Sequence, residues 1–583
     1  MDGVNLPAEP DEARAELERQ WGPWQPRTTA QALDHVARLH PDRPFVVNDD
    51  QVLTYAQTAA RSVRLAAGLH AAGVRSGDHV AVILANFAET ILLKFAVARL
   101  GAVSVSINFL LRGDDLRYVL RQSHSKILIT MDQFRDLDYL AELDDLTPGW
   151  EGPPCDELPD LERVFVFPTG DGTRSGPSSL EDLIALGSEI SGEEVLELTS
   201  NVDPESTSDL LYTSGTTGRS KGVMLHHDAV VRTAYASAYT RALWDRYRIL
   251  HALPIYHVFG YVEATIGVLF VGGSVVPHTV FDSDKMLTAV ERHQPDEIMC
   301  VPAMTLGLLE QAAQKHYDLS SLSTLFSSGA AHAPEMWTSM TERFGVSRLF
   351  TAYGQTETTA STMCTHPGDP LDRLHRSNGT IKPAGAAGDP TLGGVLAVYK
   401  AVDPITREEV PRGEVGELLA RGPGMTRGYF DKPEETAALF TEDGWLRTGD
   451  LGRIDKNGYL ALTGRQKESY RFGGELVQPG DVERVLLEHP GVAEAYVMGV
   501  PHPRFGEVGC ACVVPAAAYA VEEADLIEFC RDRLARFKVP ARVLFMRSED
   551  LPRTVTGKVQ KFRMTDQVTA LVECTTPGAP ETP

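Results

Sequence analysis

The stretch Tyr212-Thr-Ser-Gly-Thr-Thr-Gly-Arg-Ser-Lys-Gly-Val223 has the composition of an anion cradle. Gly215 and Gly218 let the backbone approach a ligand closely, while Thr213, Ser214, Thr216 and Thr217 add hydroxyls and Lys221 adds a cation. The loop follows Ser208–Tyr212, an apolar run that reads as a buried strand. Its spacing excludes a Walker A loop, in which four residues separate Gly from Gly-Lys-Ser/Thr. Here Gly215 and Gly218 are three apart, and Lys221 comes three later. Taken alone, such a segment also reads as a plain flexible turn.

Five more segments have residues suited to chemistry. Tyr353-Gly-Gln-Thr-Glu-Thr358 offers an aromatic face, a hydroxyl on Thr356 and a carboxylate on Glu357, which suit a purine, a phosphate oxygen and Mg²⁺. Trp445-Leu-Arg-Thr-Gly-Asp450 ends in a carboxylate able to take both hydroxyls of a ribose. Gly464-Arg-Gln-Lys-Glu-Ser-Tyr-Arg-Phe-Gly-Gly474 stands between two regions of different composition. Leu551-Pro-Arg-Thr-Val-Thr-Gly-Lys558 puts a lysine at a glycine-hinged loop tip. Leu253-Pro-Ile-Tyr-His-Val-Phe-Gly260 sets His257 among apolar and aromatic groups. Each also has a bland reading: Asp450 as a turn residue, Lys558 as a solvated lysine, Glu357 as a helix-start carboxylate, His257 as a core histidine.

The elements that position these segments follow from hydrophobic periodicity. Between about residues 28 and 464, strand-like runs (His79–Leu84, Val103–Ile107, Lys126–Thr130, Ile298–Val301, Thr324–Ser328) alternate with helical stretches such as Met304–His316 and an amphipathic Phe87–Leu100. That alternation predicts an α/β fold with two helix-flanked sheets. The Pro/Gly/Asp-rich segment 147–177 reads as a long surface connection. From about Val395, short strands and an Asn457-Gly458 hairpin signal predict a β subdomain. A last α+β unit carries a helix beginning at Pro479, with Val482, Val485 and Leu486 on one face. Strands near 493–500, 511–514 and 542–546 and a helix over 522–534 complete it.

At 583 residues the chain exceeds a single core. Its net charge of −25 argues against a nucleic-acid binder or a partner of anionic membranes. No run is long and apolar enough to span a membrane, and Met1–Pro7 lacks the pattern of a signal peptide. The seven cysteines are scattered, and the Cys510-Ala-Cys512 spacing fits neither zinc nor a redox pair. These features predict a cytoplasmic protein with reduced thiols.

Together and in this order, the six motifs resemble those of the adenylate-forming superfamily, which includes acyl-CoA synthetases, peptide-synthetase adenylation domains and firefly luciferase. The resemblance covers residues 28–565. It implies a large mixed-sheet domain over 28–466 and a small mobile α+β domain over 467–568, with residues 1–27 as an N-terminal extension and 569–583 as a disordered tail. By resemblance, residues 213–218 and Lys221 hold the β- and γ-phosphates of ATP. Gly329, Ala330 and Ala331 form the adenine segment, and Tyr353, Gly354 and Gln355 lie against the nucleotide. Thr356 touches the α-phosphate and Glu357 holds Mg²⁺. Asp450 and Arg465 bind the ribose, and Lys558 bridges the acid and the α-phosphate. His257, Val258, Phe259, Gly260 and Ser328, with Val262, line the acyl pocket. Lys467 is the pivot, and Arg471, Gly473 and Gly474 border the coenzyme A channel.

The implied activity is ATP-dependent acyl-CoA synthesis from a hydrophobic monocarboxylic acid. The alternatives are loading of a separate carrier protein, or a homologue specialised for one half-reaction. A homodimer is the default assembly. The chain departs from the family at Ser220, usually proline, and at Glu468, usually aspartate. Tyr470 and Arg471 stand at positions commonly apolar or lysine near the coenzyme A approach. Asp481 replaces a frequent glutamate and His502 a frequent aspartate.

Overall fold

Short apolar strands separated by helices can bury both faces only as parallel sheets with helices on either side. The computed structural model of the chain contains two such sheets. It describes residues 9–569 apart from 153–154, 171–177, 214–218, 330–333, 466–467, 473–474, 503, 517–518, 555–558, 562 and 566–567. The first sheet has seven strands, in spatial order Lys221–His226, Thr207–Thr213, Val103–Ser106, His79–Ile83, Ile127–Met131, Arg163–Phe167 and Ser178–Ser179. All neighbours run parallel except the outermost pair, where Thr213 faces Lys221 in an antiparallel hairpin. The second sheet, also of seven strands, runs Arg348–Phe350, Thr324–Ser327, Glu297–Cys300, Arg248–His251, Ser274–Pro277, Pro44–Val47 and Val52–Thr54. Only its last pair is antiparallel.

Two sequence expectations need correction. Helix Ala88–Arg99 is buried nearly all round rather than amphipathic. Its polar residues are neutralised inside the fold: Lys94 pairs with Asp209, and Arg99 with Asp34 at 2.6 Å. Segment 147–177 is not wholly a surface connection, because its apolar run Arg163–Phe167 joins the first sheet beside Ile127–Met131. Proline and glycine on both sides of that run obscure it. The N-terminal segment adds a helix, Pro10–Trp21, docked on helix His227–Arg241. Trp21 Nε1 donates to Phe270 O at 3.0 Å, and Arg14 Nε to Tyr239 O at 3.1 Å.

After strand Arg248–His251 the chain forms a π-helix, Phe259–Ile266, and then a 3₁₀ turn, Gly267–Val271. Glu263 is the one charged side chain in this apolar stretch, and it is fully buried. Its Oε1 accepts from the Ser361 backbone N–H at 2.9 Å and from the Ser361 hydroxyl, and its Oε2 accepts from the Ser237 hydroxyl. Lys382 Nζ, also fully buried, reaches both oxygens at 3.0 and 3.1 Å. Arg241 donates to Glu263 O at 2.8 Å and pairs with the buried Glu297, which also accepts from Tyr247 at 2.9 Å. Burial works against the charged Glu263 carboxylate, but Lys382 and then Arg241 outweigh it and hold the group below the ordinary range.

A third, antiparallel sheet of four strands comprises Val398–Val402, Gly416–Arg421, Leu446–Ile454 and Leu460–Arg465, with Asn457-Gly458 in the turn between the last two. The final sheet contains Tyr470–Phe472, Glu475–Val477, Val492–His502, Gly506–Pro515 and Arg542–Phe545, with helices Pro479–Leu487 and Glu523–Arg531. Val482, Val485 and Leu486 lie in its core as expected. Tyr470 is buried in the same core, and a Cβ at Gly499 would fall 2.3 Å from its Cβ and one at Gly509 2.2 Å from its hydroxyl. Asp481 is paired with Lys538 at 2.6 Å. Burial pushes the thiols of Cys300, Cys364, Cys510 and Cys512 up to about 12 and that of Cys530 up to about 11. No helix among the described residues is long and apolar enough to cross a membrane.

Removing Lys382 strands the Glu263 charge in the core. Lys382→Met should destabilise the fold by about 3–5 kcal/mol. The double variant Glu263→Leu/Lys382→Met should lose less. Urea unfolding of the purified variants checks both expectations, and equal losses would contradict this account of the pair.

Candidate active site

Side chains converge where adjacent parallel strands end, and open α/β sheets bind ligands there. Three neighbouring strands of the second sheet, Arg248–His251, Glu297–Cys300 and Thr324–Ser327, end on one edge. The first leads into Leu253–Gly260 and the third into Ser328 and Gly329. Gly260 sits against its own chain: a Cβ there would lie 2.6 Å from the carbonyl oxygens of Leu253 and Pro254. His257 Nδ1 accepts from the Phe259 N–H at 3.2 Å. Val258 and Val262 are buried, and Phe259 meets Phe326 edge-on at 5.2 Å. The Ser328 hydroxyl donates to Ala352 O at 2.7 Å, tying this edge to the next strand. Gly329 takes a φ of +100°, a left-handed turn suited to glycine. Ala330 and Ala331 lie outside the described residues.

The strand Ala352–Gln355 pairs tightly with Ala360–Cys364, and a Cβ at Gly354 would lie 1.9 Å from Ala360 O. Between these strands Thr356, Glu357 and Thr358 form a 3₁₀ turn. Gln355 Nε2 donates to Thr448 O at 3.3 Å. Tyr353 is buried, and its hydroxyl donates to Asp450 Oδ2 at 2.8 Å. Burial and the Asp450 carboxylate together push that phenol well above its ordinary pKa. The other Asp450 oxygen pairs with Arg465 Nε at 3.1 Å across the strands Leu446–Ile454 and Leu460–Arg465. Burial opposes the Arg465 charge, yet Asp450 and Glu468 hold its pKa above the ordinary value. Tyr353, Asp450 and Arg465, more than a hundred residues apart at the extremes, are thus in continuous contact.

The phosphate-loop candidate is flanked by two antiparallel strands. Thr213 and Lys221 close it as facing residues, while Ser214, Gly215, Thr216, Thr217 and Gly218 lie outside the described residues. Ser220 O accepts from the Tyr118 hydroxyl at 3.1 Å. The strand from Lys221 is flanked by Gly428–Phe430: Phe430 N donates to Gly222 O at 2.8 Å and Met224 N to Gly428 O at 3.0 Å. This brings in Tyr429, which the sequence reading missed. Its hydroxyl donates to Glu357 Oε1 at 2.8 Å, and Lys221 Nζ stands 4.4 Å above its ring centroid. The available signal was Arg427-Gly428-Tyr429, in which Gly428 takes a φ of +124° and turns the aromatic inward.

The C-terminal candidates are only partly described. Lys467, Gly473, Gly474 and Lys558 lie outside the described residues. Arg471 is exposed, and its N–H donates to Glu507 Oε2 at 2.8 Å. Arg553 and Val559 bridge on either side of the lysine loop, and Gln560 N donates to Pro552 O at 2.7 Å. Lys561 pairs with Glu483 and, at 3.5 Å, with Glu468. His502 Nδ1 accepts from the Arg504 N–H at 3.2 Å.

With this arrangement in view, comparison with known proteins is decisive. The AMP-binding enzyme model matches residues 33–430, and the AMP-binding enzyme C-terminal domain model matches 481–558. The chain belongs to the AMP-binding, adenylate-forming enzyme family. It is 35% identical over 539 residues to a methyl-dioxo-octahydro-indenyl propanoyl:CoA ligase of Rhodococcus jostii, covering 92% of this chain and 98% of that one. It is 31% identical over 555 residues to a mitochondrial medium-chain acyl-CoA ligase of Danio rerio, covering 94% and 89%. Among solved structures, the anthranilate CoA ligase AuaEII in complex with anthranoyl-AMP superposes with a TM-score of 0.80 at 25% identity, covering 94% and 98%.

The approach of Gly354 to Ala360 yields a test within this adenylate-forming enzyme. Gly354→Ala should force the two strands apart and destabilise the protein by about 1–3 kcal/mol. A thermal unfolding scan equal to that of the wild type would show that the hairpin tolerates the methyl group.

Proposed function

We propose that this enzyme is an AMP-forming acyl-CoA synthetase acting on a hydrophobic monocarboxylic acid. The supporting observation is one path of contacts: Lys221 on Tyr429, Tyr429 to Glu357, the turn from Glu357 back to Tyr353, then Tyr353 to Asp450 and Arg465. A nucleoside triphosphate laid along it meets a cation at the phosphate end and a carboxylate at the ribose end. Its relatives are CoA ligases, which favours coenzyme A over a carrier protein as the acceptor.

In this reading Thr213 and Lys221 hold the β- and γ-phosphates, and Thr356 contacts the α-phosphate. Tyr353 faces the purine, and Asp450 with Arg465 holds the ribose. Glu357 fits a Mg²⁺ ligand: it is a buried carboxylate whose Oε2 has no donor among the described residues. No group of three or more metal-ligating side chains accompanies it there, which suits an ion held mainly by substrate phosphates. When bound, Mg²⁺ supplies charge neutralisation at the phosphates. The acid's carboxylate attacks the α-phosphorus in line and pyrophosphate departs, leaving an acyl-adenylate. Two anions must meet, so the residues act chiefly by positioning and charge compensation, with Lys558 at the reacting centre. Residues 467–568 then turn about Lys467, and the coenzyme A thiol attacks the activated carbonyl and expels AMP.

The acyl subsite at His257–Gly260 and Val262 sets the substrate class. Among the described residues, Arg241, Lys382 and Lys94 reach the π-helix, and they are paired with Glu297, Glu263 and Asp209 respectively. Among the described residues this leaves no unpaired lysine or arginine there for a second carboxylate, and Val258, Phe259 and Val262 make the walls largely apolar.

Purified enzyme incubated with ATP, Mg²⁺, CoA and a panel of linear, aryl and alicyclic acids should form acyl-CoA and AMP, preferring monocarboxylates to their dicarboxylate counterparts. Absence of every thioester product would overturn the reading. Lys558→Ala should cut acid-dependent pyrophosphate exchange by about a hundredfold or more while sparing thioester formation from supplied acyl-adenylate. Equal losses in the two assays would refute that division of labour.

A further inference from the structure

Tyr429 touches both charged groups assigned to the triphosphate. Its hydroxyl is 2.8 Å from Glu357 Oε1, and its ring lies under Lys221 Nζ at 4.4 Å. Lys221 and Glu357 carry opposite charges and arise from different sheets, yet no ion pair joins them among the described residues. A direct pair would neutralise the cation needed by the phosphates and occupy the carboxylate needed by the metal. The tyrosine stands between them and satisfies each in a separate way, the cation through its ring face and the carboxylate through its hydroxyl.

The segment is held rigidly enough for that task. Backbone bonds Phe430 N to Gly222 O and Met224 N to Gly428 O clamp Tyr429 against the hairpin strand, with Val223 and Tyr429 bridged. On its other side Tyr429 N donates to Thr436 Oγ1 at 2.9 Å. Glu357 is fixed in turn, since its backbone oxygen accepts from Thr426 N at 2.8 Å.

We propose that Tyr429 is a positioning residue that keeps Lys221 and Glu357 apart and orients each toward the triphosphate and its metal. The inference rests on the roles given to Lys221 and Glu357 above. It assigns the hydroxyl to metal binding and the ring to the phosphate cation, so the two functions separate by substitution.

Tyr429→Phe keeps the ring and removes only the donor, whereas Tyr429→Leu removes both. Calorimetric titration of each protein with ATP in EDTA and with ATP in Mg²⁺ reads the two contributions without turnover. Tyr429→Phe should weaken binding of the Mg²⁺ complex by about tenfold or more while leaving metal-free ATP binding unchanged. Tyr429→Leu should weaken both. If Tyr429→Phe binds the Mg²⁺ complex like the wild type, or loses both ligands equally, the inference fails. Should Tyr429→Leu not fold, as judged by its melting profile, the Phe variant alone decides the metal claim and Tyr429→Met tests the ring. A wild-type protein that binds ATP in neither buffer would instead sink the functional reading itself.

Discussion

The fold is organised around the need to neutralise Glu263. A carboxylate in a fully buried π-helix is tolerable only with a compensating cation and a filled set of donors, and these come from three separate elements. Helix His227–Arg241 supplies Ser237 and Arg241, the strand Ala360–Cys364 supplies Ser361, and Lys382 follows the strand Thr380–Ile381. The same carboxylate therefore anchors the π-helix that carries the acyl candidates and the hairpin that carries Thr356 and Glu357. Arg241 extends the network to Glu297 in the second sheet. Neither the π-helix nor this hairpin can shift without disturbing a charge that has no water to fall back on.

Much of this architecture was legible from residue order. Strands such as His79–Ile83 and Thr324–Ser327 are short apolar runs that the sequence places to within one residue, and Asn457-Gly458 marks its turn directly. Helix Ala88–Arg99 was misjudged in character because Lys94 and Arg99 look like a solvated face until Asp209 and Asp34 appear beside them. Strand Arg163–Phe167 was hidden by its proline- and glycine-rich surroundings. In both cases the deciding partners are distant in sequence.

The site shows the same division. Local motifs singled out Tyr353, Glu357, Asp450 and Arg465 as candidates, since each lies in a stretch of distinctive composition. They could not show that Tyr353 and Asp450 share a hydrogen bond across 97 residues, or that Tyr429 separates Lys221 from Glu357. Glu263 was nonetheless visible in principle, as a single charge in the apolar run from Val258 to Val276. A lone charge so placed demands a partner, even when local sequence does not say which.

The burial of the cysteines has a chemical consequence for a protein whose proposed second substrate is itself a thiol. Thiol–disulfide exchange proceeds through the thiolate, so a pool of coenzyme A and its oxidised dimer would modify any accessible, ionisable cysteine. Cys300, Cys364, Cys510, Cys512 and Cys530 are all buried, with thiols held near 11 or 12. At neutral pH these thiols stay protonated and so lack the reactive thiolate. At these five positions the polypeptide is therefore inert toward the sulfur chemistry of its own co-substrate, and the oxidised coenzyme finds nothing there to exchange with.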